Sequence, residues 1–142
     1  VEPLGRGCEV RVLHPAAPAD DDLSVNDRSL VIVADCGEGA RALLAGDVEA
    51  AGEERMMTRR PGGLSADLLK VPHHGSRTSS SPGFVEAVSP SVAVISAGRG
   101  NRFGLPDAEV LERYRASGAE LRRTDGEGFV EVALTPRPSS AR

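Results

Sequence analysis

The sequence predicts a layered α/β fold, and three observations predict it. Strand-like and helix-like segments alternate along the 142 residues in the order β, ββ, α, β, α, β, α, ββ. Two near-continuous aliphatic runs, Leu30 to Ala34 and Val92 to Ala97, read as sheet strands covered on both faces. The helical segments carry their own punctuation: Ser81 then Pro82 as N-cap and first turn, and Gly118 where a helix ends.

Each element has its own reason. Cys8 to Leu13 (CEVRVL) alternates apolar and polar residues with period two, so it reads as a strand. Pro15 to Asp22 is a loop by composition. Ser29 to Ala34 and Arg41 to Ala45 are strands joined by the DCGEG turn, and so form a hairpin. Glu49 to Thr58 reads as a short helix that stops before the loop Arg59 to Gly63. Asp67 to Val71 is a strand ended by Pro72, and the helix opened by Ser81 runs to about Val88. Val92 to Ser96 is a further strand. Asp107 to Ser117 is an amphipathic helix with Val110, Leu111 and Tyr114 on its apolar face. Glu120 to Arg123 and Gly128 to Ala133 read as two closing strands around a DGEG turn. Thr135 to Arg142 reads as a disordered tail, which leaves 1–134 as the folded unit.

Composition narrows the functional classes. With 39% hydrophobic and 27% charged residues, the chain fits one ordinary domain or part of a larger one, and is too apolar to be disordered. A net charge of -4 excludes a globally basic nucleic-acid binder but leaves room for a local basic patch. The apolar runs are far too short to cross a bilayer, and no signal peptide opens the chain. Its first residue is Val1, which reads as a fragment, a processed chain or a misread start. Cys8 and Cys36 form no CxxC pair and read as two buried or free thiols, with a single disulfide as the alternative.

The chemistry concentrates at strand ends. His73 and His74 follow the strand DLLKV directly, and Asp47 follows RALLA through a glycine. Loops at the carboxyl ends of strands are where α/β proteins place their sites. Carboxylate and imidazole together suit zinc, manganese or iron. Neighbours in an extended chain point to opposite faces, so one histidine of the pair is the ligand and the other serves substrate or donates a hydrogen bond to a ligand; Gly75 could turn both inward. His74 is the favoured ligand. Asp47 has a plainer role open to it, as N-cap of a helix starting at Val48. His14 reads as a surface or packing residue. The segment from His74 to Ser81 is rich in hydroxyls and precedes a helix. Ser76, Arg77, Arg99 and Arg102 are therefore candidate phosphate contacts. Asp125 reads as a turn residue.

The ordered blocks AGD (Ala45 to Asp47), DLLKVPHHGSRTSS (Asp67 to Ser80), SAGRGNRFGLP (Ser96 to Pro106) and LRRTDGEGFVEV (Leu121 to Val132) are familiar. With NDRSLVIV (Asn26 to Val33), they resemble the C-terminal half of the metallo-β-lactamase-fold domain of the ComEC-type DNA-internalisation competence family. The resemblance implies an αββα sandwich of which this chain is the second half. It implies Asp47 as a bridging metal carboxylate and His73–His74 as the source of the late metal histidine, with two zinc or manganese ions in the complete domain. It further implies a nuclease or phosphodiesterase acting on single-stranded DNA. The partners would be a missing N-terminal half-domain carrying an HxHxDH motif and a membrane channel of the bacterial inner membrane. Two features depart from the family. The three histidines here cannot form HxHxDH, so the chain reads as a fragment, inactive alone, or as a degenerate binding module. Leu105 stands before Pro106 where the family has histidine. Another metallo-β-lactamase-fold hydrolase is the nearby alternative.

Overall fold

The structure is a computed structural model and describes residues 7–134 apart from Ala17 and Ala19. Its six strands are β1 (Glu9–His14), β2 (Val31–Cys36), β3 (Ala40–Leu44), β4 (Leu68–Lys70), β5 (Val92–Ile95) and β6 (Glu120–Arg123). Its helices are α1 (Ala50–Arg59), α2 (Pro82–Val88), α3 (Ala108–Ala116) and the single turn α4 (Thr124–Glu127). The strands lie in one sheet in chain order. β1, β2 and β3 are antiparallel, and β3 to β6 are parallel.

Three βαβ crossovers advance in one direction across that sheet. Right-handed crossovers then place α1, α2 and α3 on one face. The row Val33, Leu43, Leu69 and Ala93 is in register across four strands and fully buried. Phe84, Val88, Val110 and Tyr114 close the same core from the helices. The expected apolar face of α3 is the one that packs.

Two helix starts are capped from a distance. Asp27 accepts hydrogen bonds from the backbone N–H groups of Glu49 (3.1 Å) and Gly52 (2.9 Å) at the start of α1. Glu53 accepts from those of Ser80 and Ser81 (2.9 Å) before α2, and Ser81 also caps that helix through its own hydroxyl. Both carboxylates meet N–H groups that would otherwise lack partners, at the positive end of a helix dipole. Burial pushes the Glu53 carboxyl up, against the opposing pull of these hydrogen bonds.

Four expectations are corrected. Cys8 and Cys36 are not free thiols but a disulfide, with Cα atoms 4.1 Å apart at the open end of the β1–β2 pair. The run Ser29 to Ala34 is not covered on both faces: Val31 and Val33 are buried, but the rows Val10–Ala34–Ala42 and Val12–Ile32–Leu44 face away from the helices. Val10 and Val12 are 59% and 56% exposed there. The segment Gly128 to Ala133 forms no strand, and the DGEG turn is one turn of helix. The α1 helix begins after Glu49, so Asp47 does not cap it. The 135–142 tail lies outside the described residues. Among those described, no helix is long and apolar enough to cross a membrane.

His14 is fully buried, not a surface residue. Its Nε2 donates to the Asp27 carbonyl oxygen and its Nδ1 lies 3.3 Å from Asp20. Asp20 also pairs with Arg59 at 2.6 Å, and that guanidinium holds its carboxyl down to about 2. An unfolded aspartate titrates near ~3.9. A depressed carboxyl pKa contributes stability that is present above the unfolded value and lost as pH falls through the folded one. Asp20→Asn is therefore expected to lower stability at neutral pH and to flatten the loss of stability between about pH 4 and pH 2. Urea midpoints measured across that range check it.

Candidate functional site

The carboxyl ends of β3, β4, β5 and β6 carry four neighbouring loops, and every sequence-derived site residue sits on one of the first three. The β3 loop turns at Gly46, whose φ is +47°. A Cβ there would lie 2.7 Å from the Leu30 carbonyl oxygen, so only glycine fits. The turn presents Asp47 half-exposed beyond the carboxyl end of β3.

After β4 the chain does not stay extended. Pro72–Gly75 is a 3-10 turn in which His73 (φ 46°) and His74 (φ 54°) are both left-handed. Left-handed backbone at a non-glycine residue costs about 1–3 kcal/mol and persists where surrounding structure enforces it. Here the His73 N–H donates to the Gly46 carbonyl oxygen at 3.0 Å, tying the two loops together. The expectation of two side chains on opposite faces of an extended strand is thus corrected. The turn splits them differently, with ring centroids 6.4 Å apart and planes at 65°.

His74 turns towards Asp47, its Nε2 lying 3.5 Å from Oδ1. Its Nδ1 donates to the Ser96 carbonyl oxygen at 2.7 Å. That hydrogen bond assigns the Nδ1 proton and leaves the Nε2 lone pair facing a carboxylate. The pair repels unless a proton or a metal ion lies between. His73 turns towards Glu49 (3.1 Å) and Thr78 (3.5 Å) instead.

The candidate phosphate residues disperse. The Ser76 hydroxyl is bonded to that of Thr78 at 2.9 Å. Arg77 pairs with Asp107 at 3.2 Å. Arg99 donates to the Asp125 and Gly126 carbonyl oxygens, holding the β6 loop. Arg102 lies over the Phe103 ring, 4.9 Å from its centroid. The expected anion position before α2 is taken by the Glu53 carboxylate. Asp125 forms a two-contact ion pair with Arg123, which holds its carboxyl low.

Sequence reasoning missed Lys70. Its Nζ donates to the Gly46 carbonyl oxygen at 3.0 Å and lies 4.0 Å from Asp47 Oδ1. Burial lowers its pKa, with Asp47 opposing. One signal could have found it: Lys70 is the only lysine among seventeen basic residues. Glu49 and Thr78 were missed as well, because nothing local marks them as partners of His73.

Asp47 and His74 fit a divalent cation in donor type and in tautomer, but two ligands do not complete a site. Among the described residues no group of three or more His, Cys, Asp or Glu could hold a metal ion. Gly75 places His74 through close packing. Its φ is +80°, and a Cβ would lie 2.7 Å from Pro106 Cβ. Gly75→Ala is therefore expected to cost about 2 kcal/mol or more, because strain and overlap add. Denaturant midpoints measure this directly.

No protein-family profile matches the chain. Individual relatives do. It is 38% identical over 129 residues to ComE operon protein 3 of Bacillus subtilis, covering 91% of this chain and 16% of the relative. It is 38% identical over 128 residues to competence protein ComA of Neisseria gonorrhoeae, covering 90% of this chain and 18% of the relative. Recombination protein 2 of Haemophilus influenzae is 39% identical over 107 residues, or 75% of this chain. The chain spans less than a fifth of the length of these relatives. Over most of its length it is similar to one segment of competence-related proteins.

Proposed function

We propose that this segment supplies Asp47 and His74 to a divalent-metal site in a hydrolase that cleaves phosphodiesters of single-stranded DNA during uptake. The observation that carries the reading is the position of His74 Nε2, 3.5 Å from Asp47 Oδ1, with Nδ1 fixed by the Ser96 carbonyl oxygen. A zinc or manganese ion there would supply an activated water and offset phosphate charge. This chain's own part is to hold His74 in one tautomer, to fix the Asp47 turn through Lys70 and the His73 N–H, and to place Arg102 at the rim.

The remaining ligands, in this reading, belong to another part of a longer protein. Two facts support that. The relatives are about six times as long as the matched segment. The sheet face turned from the helices is lined by Val10, Val12, Ile32 and Leu44, as one layer of an αββα metallo-β-lactamase-like sandwich requires of the face meeting the second sheet. The Cys8–Cys36 disulfide suits an oxidising compartment, in keeping with a domain held outside the cytosol on a membrane channel. A second reading, a degenerate module that binds DNA or a partner without cleaving, draws on Leu105 and on the incomplete ligand set.

The test is hydrolysis of a single-stranded oligonucleotide with manganese or zinc by the protein that carries this segment. His74→Ala is expected to lose at least about 100-fold, the upper range for disturbing even a ligand's supporting partner. Unchanged hydrolysis in that variant rejects the assignment.

A further inference from the structure

We propose that Phe103, braced by Arg102, is a stacking platform for a base of single-stranded DNA at the rim of this site. The proposal rests on the function proposed above. The chain is poor in aromatics, with three Phe and one Tyr. Phe84 and Tyr114 are fully buried in the core, whereas Phe103 is 69% exposed. Leaving a ring of that size in water forgoes the gain of burying it.

The loop that carries Phe103 is held rigidly. Asn101 brackets it with four hydrogen bonds. Its amide nitrogen donates to the Gly98 (2.9 Å) and Leu105 (2.7 Å) carbonyl oxygens, and its side-chain oxygen accepts from the Phe103 (3.2 Å) and Leu105 (3.1 Å) N–H groups. Both ends of the loop are fastened to the histidine turn. The Ser96 carbonyl oxygen accepts from His74, and the Asp107 N–H donates to the Gly75 carbonyl oxygen at 2.9 Å. The loop that presents the ring is therefore anchored at both ends to the turn that carries His74.

Arg102 adds the second half of the chemistry. Its guanidinium lies over the ring at 4.9 Å, a cation–π contact. Sequence-tolerant binders of single strands join an aromatic face for the base to a cation for the backbone phosphate. A duplex keeps its bases stacked on each other and offers no free face. Phe129 is more exposed still but lies on irregular chain, with no comparable bracket among the described residues.

The experiment measures binding of a labelled oligothymidylate, and of an abasic strand of equal length and charge, to the protein that carries this segment. Phe103→Ala and Phe103→Leu are expected to weaken oligothymidylate binding about tenfold, and Phe103→Trp to keep or tighten it. The abasic strand should bind wild type about as weakly as oligothymidylate binds the alanine variant, and should be indifferent to all three changes. Leu as good as Phe would show an apolar packing residue and overturn the proposal, as would equal affinity for the abasic strand or a preference for duplex. Melting temperatures separate folding from binding: a leucine variant that melts like wild type yet binds weakly supports stacking. Hydrolysis of the oligothymidylate by wild type with manganese or zinc reports the proposed function separately. Its failure, with base-dependent binding intact, removes the enzyme reading and leaves the platform standing.

Discussion

Asp47→Ala is expected to abolish retention of zinc or manganese and hydrolysis together, while leaving the fold intact. The separation follows from what Asp47 does not do. It caps no helix, since α1 begins at Ala50 and Asp27 serves its first N–H groups. It is half-exposed, so its removal opens no cavity. Surface changes of this kind stay within about 0.5 kcal/mol. The Gly46 turn survives too, because Lys70 and the His73 N–H both donate to the Gly46 carbonyl oxygen, not to the carboxylate. Metal content by elemental analysis, alongside a denaturant midpoint, reads both effects in one preparation. Full metal occupancy with wild-type hydrolysis would sink the assignment of Asp47.

The isolated 142 residues are expected to self-associate or to remain partly unfolded, because no described helix covers one face of the sheet. Val10, Val12 and Leu30 are each more than half exposed, and Ile32 and Leu44 continue the same patch. Contiguous aliphatic surface of this kind seeks a partner. Val12→Lys then has opposite effects in two settings. In the isolated chain it interrupts the patch and should raise solubility and favour the monomer. In the longer protein it places a charge where an apolar contact belongs, at a cost of about 2 kcal/mol from lost burial alone. Sedimentation and thermal melts of both forms check this. A cooperative, monomeric melt of the unaltered isolated chain would count against the half-sandwich reading.

Much of this organisation is legible in the chain. The βαβ rhythm, the Ser81–Pro82 helix start, the buried face of α3 and the hairpin of β2 with β3 all follow from local rules of period and capping. So does the placement of Asp47 and His74 at strand ends. The two aliphatic runs were less informative, because a continuous apolar strand reads the same whether its second face meets the rest of a protein within the chain or beyond it. The pairing of Cys8 with Cys36 was equally hidden, since spacing does not report which residues lie opposite across a sheet. The last strand failed because GFVEVA has the right residues but no neighbour to pair with among the described strands.

Local sequence determined the element types and the residues at each strand end, since these depend on interactions within a few positions. Tertiary structure alone decided their roles. Asp27 reaches twenty-two residues forward to cap α1, and so frees Asp47 from that duty. The Ser96 carbonyl oxygen, just past β5, fixes the tautomer of His74 and gives its Nε2 a direction. Arg77, Arg99 and Arg102 are alike in sequence, yet one pairs with a carboxylate, one holds a loop and one lies over an aromatic ring. Hydrogen bonds and ion pairs act over about 3 Å, and only the folded sheet brings residues so distant in the chain within that reach.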